Sequence, residues 1–169
     1  MRNAIITLSL LAAALLVACG STTDGGKPTA TPVPTEIVDP NTISDPQDAL
    51  DAARALWAAN GGDDYDMTFN WQCFCIPDYV QQVDLQVRAG SVQAGSVTDT
   101  GDPLTADQLA EYQPVGQLFD ILQDAILKDA AEIRVTYAAT GYPAEVWIDF
   151  NLRTADEELG FFIHEMAVS

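Results

Sequence analysis

The sequence predicts an α+β domain in the order α-β-β-β-α-β-β-β, with an antiparallel sheet of about six strands and helices packed on one face. Three observations carry that expectation. Apolar residues recur at helical spacing in two segments, near 46–60 and 114–128. After each, the period changes to alternation, the mark of a strand with one buried face. Gly, Pro, Asn and Asp punctuate the boundaries, so each alternating run is short and turns back on its neighbour. Elements ordered this way pack as a helical layer on an antiparallel sheet.

The first helix starts at Asp45, a good N-cap, with Pro46 in the turn that tolerates proline and Asp48 at the positive helix end. Leu50, Ala53 and Trp57 form its apolar stripe, widened by Ala49 and Leu56, and Asn60-Gly61-Gly62 stops it. Tyr65, Met67, Phe69, Trp71, Cys73 and Cys75 then hold the odd positions, with Asp66, Thr68, Asn70 and Gln72 between them. This puts both cysteines on the buried aromatic face of one strand. Phe74 and Ile76 break the polar side at its end, and Pro77-Asp78 turns the chain.

A second strand covers about 80–88, with Val83, Leu85 and Val87 inward, and Ala89-Gly90 turns into a weaker third strand from Val92 to Val97. Thr105 with Gln108 forms a capping box for a short helix in the acidic stretch 98–113. Val115, Leu118, Phe119, Leu122 and Ile126 give the second main helix, the clearest amphipathic pattern in the chain. Ile133, Val135 and Tyr137 alternate next, and Thr140-Gly141-Tyr142-Pro143 turns into a strand carrying Val146, Ile148 and Phe150. The last strand, 159–168, is apolar on both faces, as a central strand would be. The two halves share an outline but little residue identity, which leaves an internal repeat open.

The amino-terminal region stands apart from this domain. Met1-Arg2-Asn3 is a short positive segment and Ala4–Leu16 an apolar run shorter than the roughly 20 residues a membrane span needs. Residues 1–18 therefore read as a secretory signal. Leu16-Val17-Ala18-Cys19-Gly20-Ser21 resembles the lipobox of bacterial lipoproteins. That resemblance implies cleavage before Cys19 and a diacylglycerol on its sulfur, which would anchor the protein in the cell envelope, on the outer face of the cell membrane or on the outer membrane. Residues 19–44, rich in Thr, Pro, Gly and Ser, bury too little apolar surface to fold and form a tether, so the single globular domain occupies 45–169.

Twenty-five acids face seven bases, for a net charge of −18, and signal cleavage removes Arg2 as well. Such a surface repels phosphate backbones and anionic headgroups, which excludes nucleic acid and leaves the lipid as the one expected membrane contact. A solvated acidic surface explains the charge more simply than an acidic binding site.

Further residues carry a family likeness. Trp57, Asp64-Tyr65, Cys73-x-Cys75, Val83-x-Leu85-x-Val87, Leu118-Phe119, Val135-x-Tyr137, Gly141-Tyr142-Pro143, Ile148-Asp149 and Asp156-Glu157-Glu158 together resemble an uncharacterised bacterial lipoprotein domain family over nearly all of 50–168. Ala138-Ala139 departs from its pattern, where a polar turn is expected. The resemblance implies a lipobox and a Cys-x-Cys strand, and no activity. The doubled outline is also similar to secreted inhibitor-type modules built from such units.

The chemistry on offer is sparse. With Cys19 lipidated, Cys73 and Cys75 remain as a pair in an oxidising compartment. Two thiolates could grip copper, but a closed zinc site needs four ligands, and the chain has one histidine, His164. Redox work favours nearby positive charge, and none lies between Arg54 and Arg88. A disulfide needs a bend, because i and i+2 in an extended strand lie about 6.5–7 Å apart. A structural pair, bonded or reduced, is the expectation. Asp63-Asp64-Tyr65-Asp66 and Asp99-Thr100-Gly101-Asp102 miss the calcium-loop spacing and read as solvated turns. His164 lacks a nucleophile motif around it and reads as a core or edge residue, and Asp149 as a hydrogen-bonded turn or sheet residue. The sequence thus predicts a lipid-anchored, non-enzymatic binding module without cofactor or metal, partnered by an envelope or extracellular protein. The alternative is a thiol-redox or copper-handling lipoprotein that uses Cys73 and Cys75.

Overall fold

The computed structural model describes residues 38–154 and 156–169. The signal segment, Cys19 and most of the tether lie outside the described residues. Four helices and six strands follow in the order α1 (Pro46–Asn60), β1 (Tyr65–Cys73), α2 (Pro77–Val80), β2 (Val83–Arg88), β3 (Ser91–Val97), α3 (Ala106–Leu109), α4 (Val115–Leu127), β4 (Glu132–Tyr137), β5 (Pro143–Asp149) and β6 (Leu159–Val168). The strands form one antiparallel sheet in the order β3-β2-β1-β6-β5-β4. The α+β architecture expected from the periodicities is present, with β6 central.

Across the sheet the two halves run in the same order, β3-β2-β1 and then β6-β5-β4. Their corresponding strands β1 and β4 run in opposite directions, because every neighbouring pair between them is antiparallel. The join is made by the first strand of one meander against the last strand of the other.

The core lies between the sheet and the helices α1 and α4. Leu50 and Ala53 of α1 and Val115, Leu118 and Leu122 of α4 are buried against Phe69, Leu85, Val146 and Phe161 of the strands. Arg54 ties the two helices through Gln123 Oε1 at 3.0 Å, the Phe119 carbonyl at 3.2 Å and Asp120 at 3.1 Å. The caps match the sequence reading. Asp45 accepts from the backbone N–H of Gln47 and Asp48, and Thr105 with Gln108 closes the capping box of α3. The N-cap of helix α4 is Pro114, which offers no side-chain cap. The buried Tyr65 hydroxyl supplies one instead, accepting from the Val115 N–H at 2.7 Å.

Gly141 explains the Gly-Tyr-Pro turn. Its φ of +99° lies in the left-handed region, and a Cβ there would stand 2.6 Å from the Trp57 backbone nitrogen. The turn thus docks on α1 at backbone contact, where Tyr142 and Tyr65 each meet the Trp57 ring edge-on, with centroids 6.0 and 5.4 Å apart.

The packing also reaches upstream of Asp45. Pro40 is buried in a single 3-10 turn, Pro40–Thr42. Asn41 pairs its carboxamide with the Tyr137 backbone, donating at 2.9 Å and accepting at 2.8 Å. An amide side chain here takes the place of a neighbouring strand at the edge of β4. Tether composition alone masks this, because Pro and Asn read as linker residues until a partner appears.

Burial pushes Tyr65 and Tyr137 up from 10.0 to about 12, in Tyr65 against the opposing hydrogen bond from Val115. Raised values favour the neutral phenol in the folded state, so stability is intact below pH 10 and is lost as pH climbs toward 12. Tyr65→Phe leaves the Val115 N–H without a partner and is expected to lower stability by about 1–2 kcal/mol in urea unfolding at neutral pH. The same variant is expected to lose stability less steeply between pH 10 and 12, since one of the four phenols that burial raises, Tyr65, Tyr112, Tyr137 and Tyr142, is gone. Equal urea midpoints for variant and wild type would show that the hydroxyl does not cap α4.

Candidate functional site

With α1 and α4 on one face, no long helix packs on the opposite face among the described residues. Only the one-turn α2 reaches its end, through Val80. The outward side chains of the strands form that face, and the register places them in rows. One row runs Arg134 (β4), Trp147 (β5), Gly160 (β6), Gln72 (β1); the next runs Thr136, Glu145, Phe162, Asn70. Large aromatic side chains therefore stand on a face that alternation alone would make polar.

Gly160 shapes the first row. A Cβ at this position would lie 2.6 Å from the Val146 carbonyl oxygen and 3.2 Å from the Trp147 ring. The missing side chain lets the half-buried indole lie close over the backbone of β6. The Arg134 guanidinium sits 5.7 Å from the indole centroid, and Glu132 holds its Nε at 3.4 Å. Gln72, Arg134, Thr136, Glu145, Trp147 and Phe162 line a trough of about 330 Å³ on this part of the face.

A β-bulge shapes the neighbouring part. Thr68 pairs with Glu165 but Phe69 with Ile163, so His164 is an extra residue on β6. Bulges of this kind re-aim side chains at sheet faces. Here His164 is exposed on the open face, where Nε2 lies 2.6 Å from Asn70 Oδ1 and the ring centroid is 5.6 Å from that of Phe162. The expectation of a core or edge position for His164 is corrected by this bulge on a central strand. Beyond it, Thr68 donates to Asp84 at 2.8 Å and Arg88 pairs with Asp66 at 2.8 Å.

The cysteines also differ from the alternation pattern. Strand β1 ends at Cys73, which is half-buried, and the chain bends at Phe74, leaving Cys75 exposed instead of on the core face. The bend brings the two Cα atoms to 5.2 Å, and the sulfurs stand at disulfide-bonding distance. The turn at Pro77-Asp78 is the one-turn helix α2. Phe74 is 85 % exposed between the cysteines, with Ile76 at 60 % and Val80 at 37 % nearby. Phe74 and Ile76 sat in the polar register of the sequence, and that break in alternation was the signal for an exposed apolar loop.

The remaining candidates have local roles. Asp149, 8 % exposed, accepts from the Asn151 N–H at 2.8 Å, as a turn residue does. Asp64 accepts from the Ala89 N–H at 2.7 Å and joins two loops. Among the described residues, no group of three or more His, Cys, Asp or Glu side chains stands together as a metal site requires. The open face sets flat rings beside amide, guanidinium, carboxylate and hydroxyl groups.

Comparison with known proteins places the domain in a family. A family model described as a family of unknown function (DUF6174) matches residues 49–168. No curated protein matches the chain, and no solved structure does.

Protein recovered from an oxidising compartment and denatured without reductant is expected to take no alkylating label at Cys73 or Cys75, and two labels after reduction. Intact-mass spectrometry reads this directly. Two labels before reduction would mean that both thiols are reduced in the folded protein.

Proposed function

The chain belongs to the family of unknown function DUF6174, and we propose that it serves as a lipid-anchored, non-enzymatic binding module of the bacterial cell envelope that holds its partner on the open face of the sheet. The observation that carries this reading is the half-buried Trp147 on Gly160, beside Phe162 and a trough of polar side chains. Folding energetics would place such rings on the other face. Their position is economical only if a partner completes their burial.

The anchor in this reading is Cys19, with the tether between it and the domain. The thiol-redox or copper reading of Cys73 and Cys75 gains one observation, the exposure of Cys75. Against it, the nearest charges in the adjoining trough are Asp156 and Glu158, and carboxylates disfavour the thiolate that either chemistry needs.

Cys19→Ala is the direct test of the anchor. Cells fed a labelled fatty acid are expected to incorporate it into the wild type and not into the variant, whose domain appears in the soluble fraction with unchanged thermal unfolding. No label on the wild type, or label retained by Cys19→Ala, removes the lipid from the reading. A variant held in the membrane fraction counts against it only where intact mass shows that residues 1–18 have been cleaved.

A further inference from the structure

Two troughs meet on the open face. The first holds Arg134, Glu145 and Phe162; the second, of about 650 Å³, holds Phe74, Val80, Asp156 and Glu158; Gln72 and Trp147 line both. Together they form one continuous channel from β4 across the sheet to the loop after β1.

Phe74 stands at one end of this channel. The Cys73–Cys75 link closes a small ring around it, with the flanking Cα atoms 5.2 Å apart, so its backbone is held while its side chain points to solvent. An apolar side chain fixed before contact loses little conformational entropy on binding, which is what an interface anchor requires. Trp147 is the second anchor, positioned by Gly160.

The charge of the channel selects the occupant. Asp156, Glu158 and Glu145 line it, while Arg134, its lining cation among the described residues, is engaged by Glu132 and by the Trp147 ring. The whole chain carries −18. An anionic lipid surface is repelled by that field. A neutral saccharide would stack on the indole and donate hydroxyls to the carboxylates, but it would leave their charge uncompensated and Phe74, which stands off the sheet, uncovered. Lysine or arginine beside an apolar side chain satisfies all of them.

We propose that this channel binds a polypeptide presenting lysine or arginine next to an apolar or aromatic side chain, with Phe74 and Trp147 as its two anchors and Glu145, Asp156 and Glu158 as its charge partners. This rests on the binding-module reading and adds the chemistry of the partner.

The test is selection of a random twelve-residue phage-displayed peptide library on the full lipidated chain in nanodiscs, with Phe74→Ala, Trp147→Ala and Glu145→Gln/Glu158→Gln chains in parallel. An array of neutral oligosaccharides is run beside it. Phe74 is exposed, so its variant keeps the fold even if Trp147→Ala does not. The proposal expects enriched peptides rich in Lys or Arg with an apolar residue. Their binding should weaken at least about 10-fold on Phe74→Ala and fall with added salt. Enriched peptides that are acidic or uncharged, yet still depend on Phe74 and Trp147, overturn the charge assignment and leave the binding face standing. A saccharide signal that depends on Trp147, without peptide enrichment, overturns the polypeptide assignment alone. No ligand that depends on either anchor overturns both this proposal and the function it rests on.

Discussion

The fold depends on what happens at Tyr65. Its ring is buried at the start of β1 and its hydroxyl caps α4 by accepting from Val115, a helix whose own N-cap residue is proline. Trp57 of α1 packs edge-on against the same ring, and the Tyr65 carbonyl accepts from Arg88 at 3.0 Å. One residue therefore joins the first helix, the central strand, the end of β2 and the second helix. Burial pushes its phenol up to about 12, so it stays neutral as this joint requires. The Gly141 turn then closes onto α1 at backbone contact and brings the second meander to the same helices.

That joint commits both long helices to one face, and the character of the other face follows from local departures from regular strand geometry. Regular alternation would give β6 one apolar and one polar side. Instead the extra residue at His164 turns both His164 and Glu165 outward, while Gly160 clears space for Trp147. The disulfide-distance pair adds a third departure, ending β1 in a bend that projects Phe74. A bulge, a glycine inside a strand and a constrained loop each weaken a sheet locally. All three converge on one surface, the same surface that leaves aromatic rings half-covered.

Much of the fold was legible in the sequence because its signals were local. Helix α4 announces itself by spacing, α3 by its capping box, and β1 by ten residues of alternation. The order α-β-β-β-α-β-β-β then leaves little freedom for the packing. What was not legible depended on partners distant in sequence. Asn41 reads as linker until Tyr137, 96 residues away, offers its backbone. The outward aim of His164 depends on a register shift against β1, and β6 is apolar on both sides, so no periodicity marks it. Cysteine packs well in cores, which drew Cys75 into the buried register; its neighbours Phe74 and Ile76 held the contrary signal. The acidic turns and Asp149 were read from composition and local sequence alone, and their hydrogen bonds within a few residues or across adjacent loops agree.

Acidity by itself does not distinguish the open face, because carboxylates cover the whole domain and a solvated surface accounts for most of them. The combination does. The open face holds the half-buried Trp147 and Phe162 rings, which would gain more from burial beneath α1 or α4. Nor does stability require Phe74 in solvent; a bond between Cys73 and Cys75 would constrain the unfolded chain only weakly. Its larger effect would be on the folded state, where it would fix the direction of the residue it encloses. Apolar groups held rigid at the surface, with charge arranged around them, lower the entropy lost on association and set which partner is admitted. The same geometry that makes this face a poor element of the core is what the proposed binding role rests on.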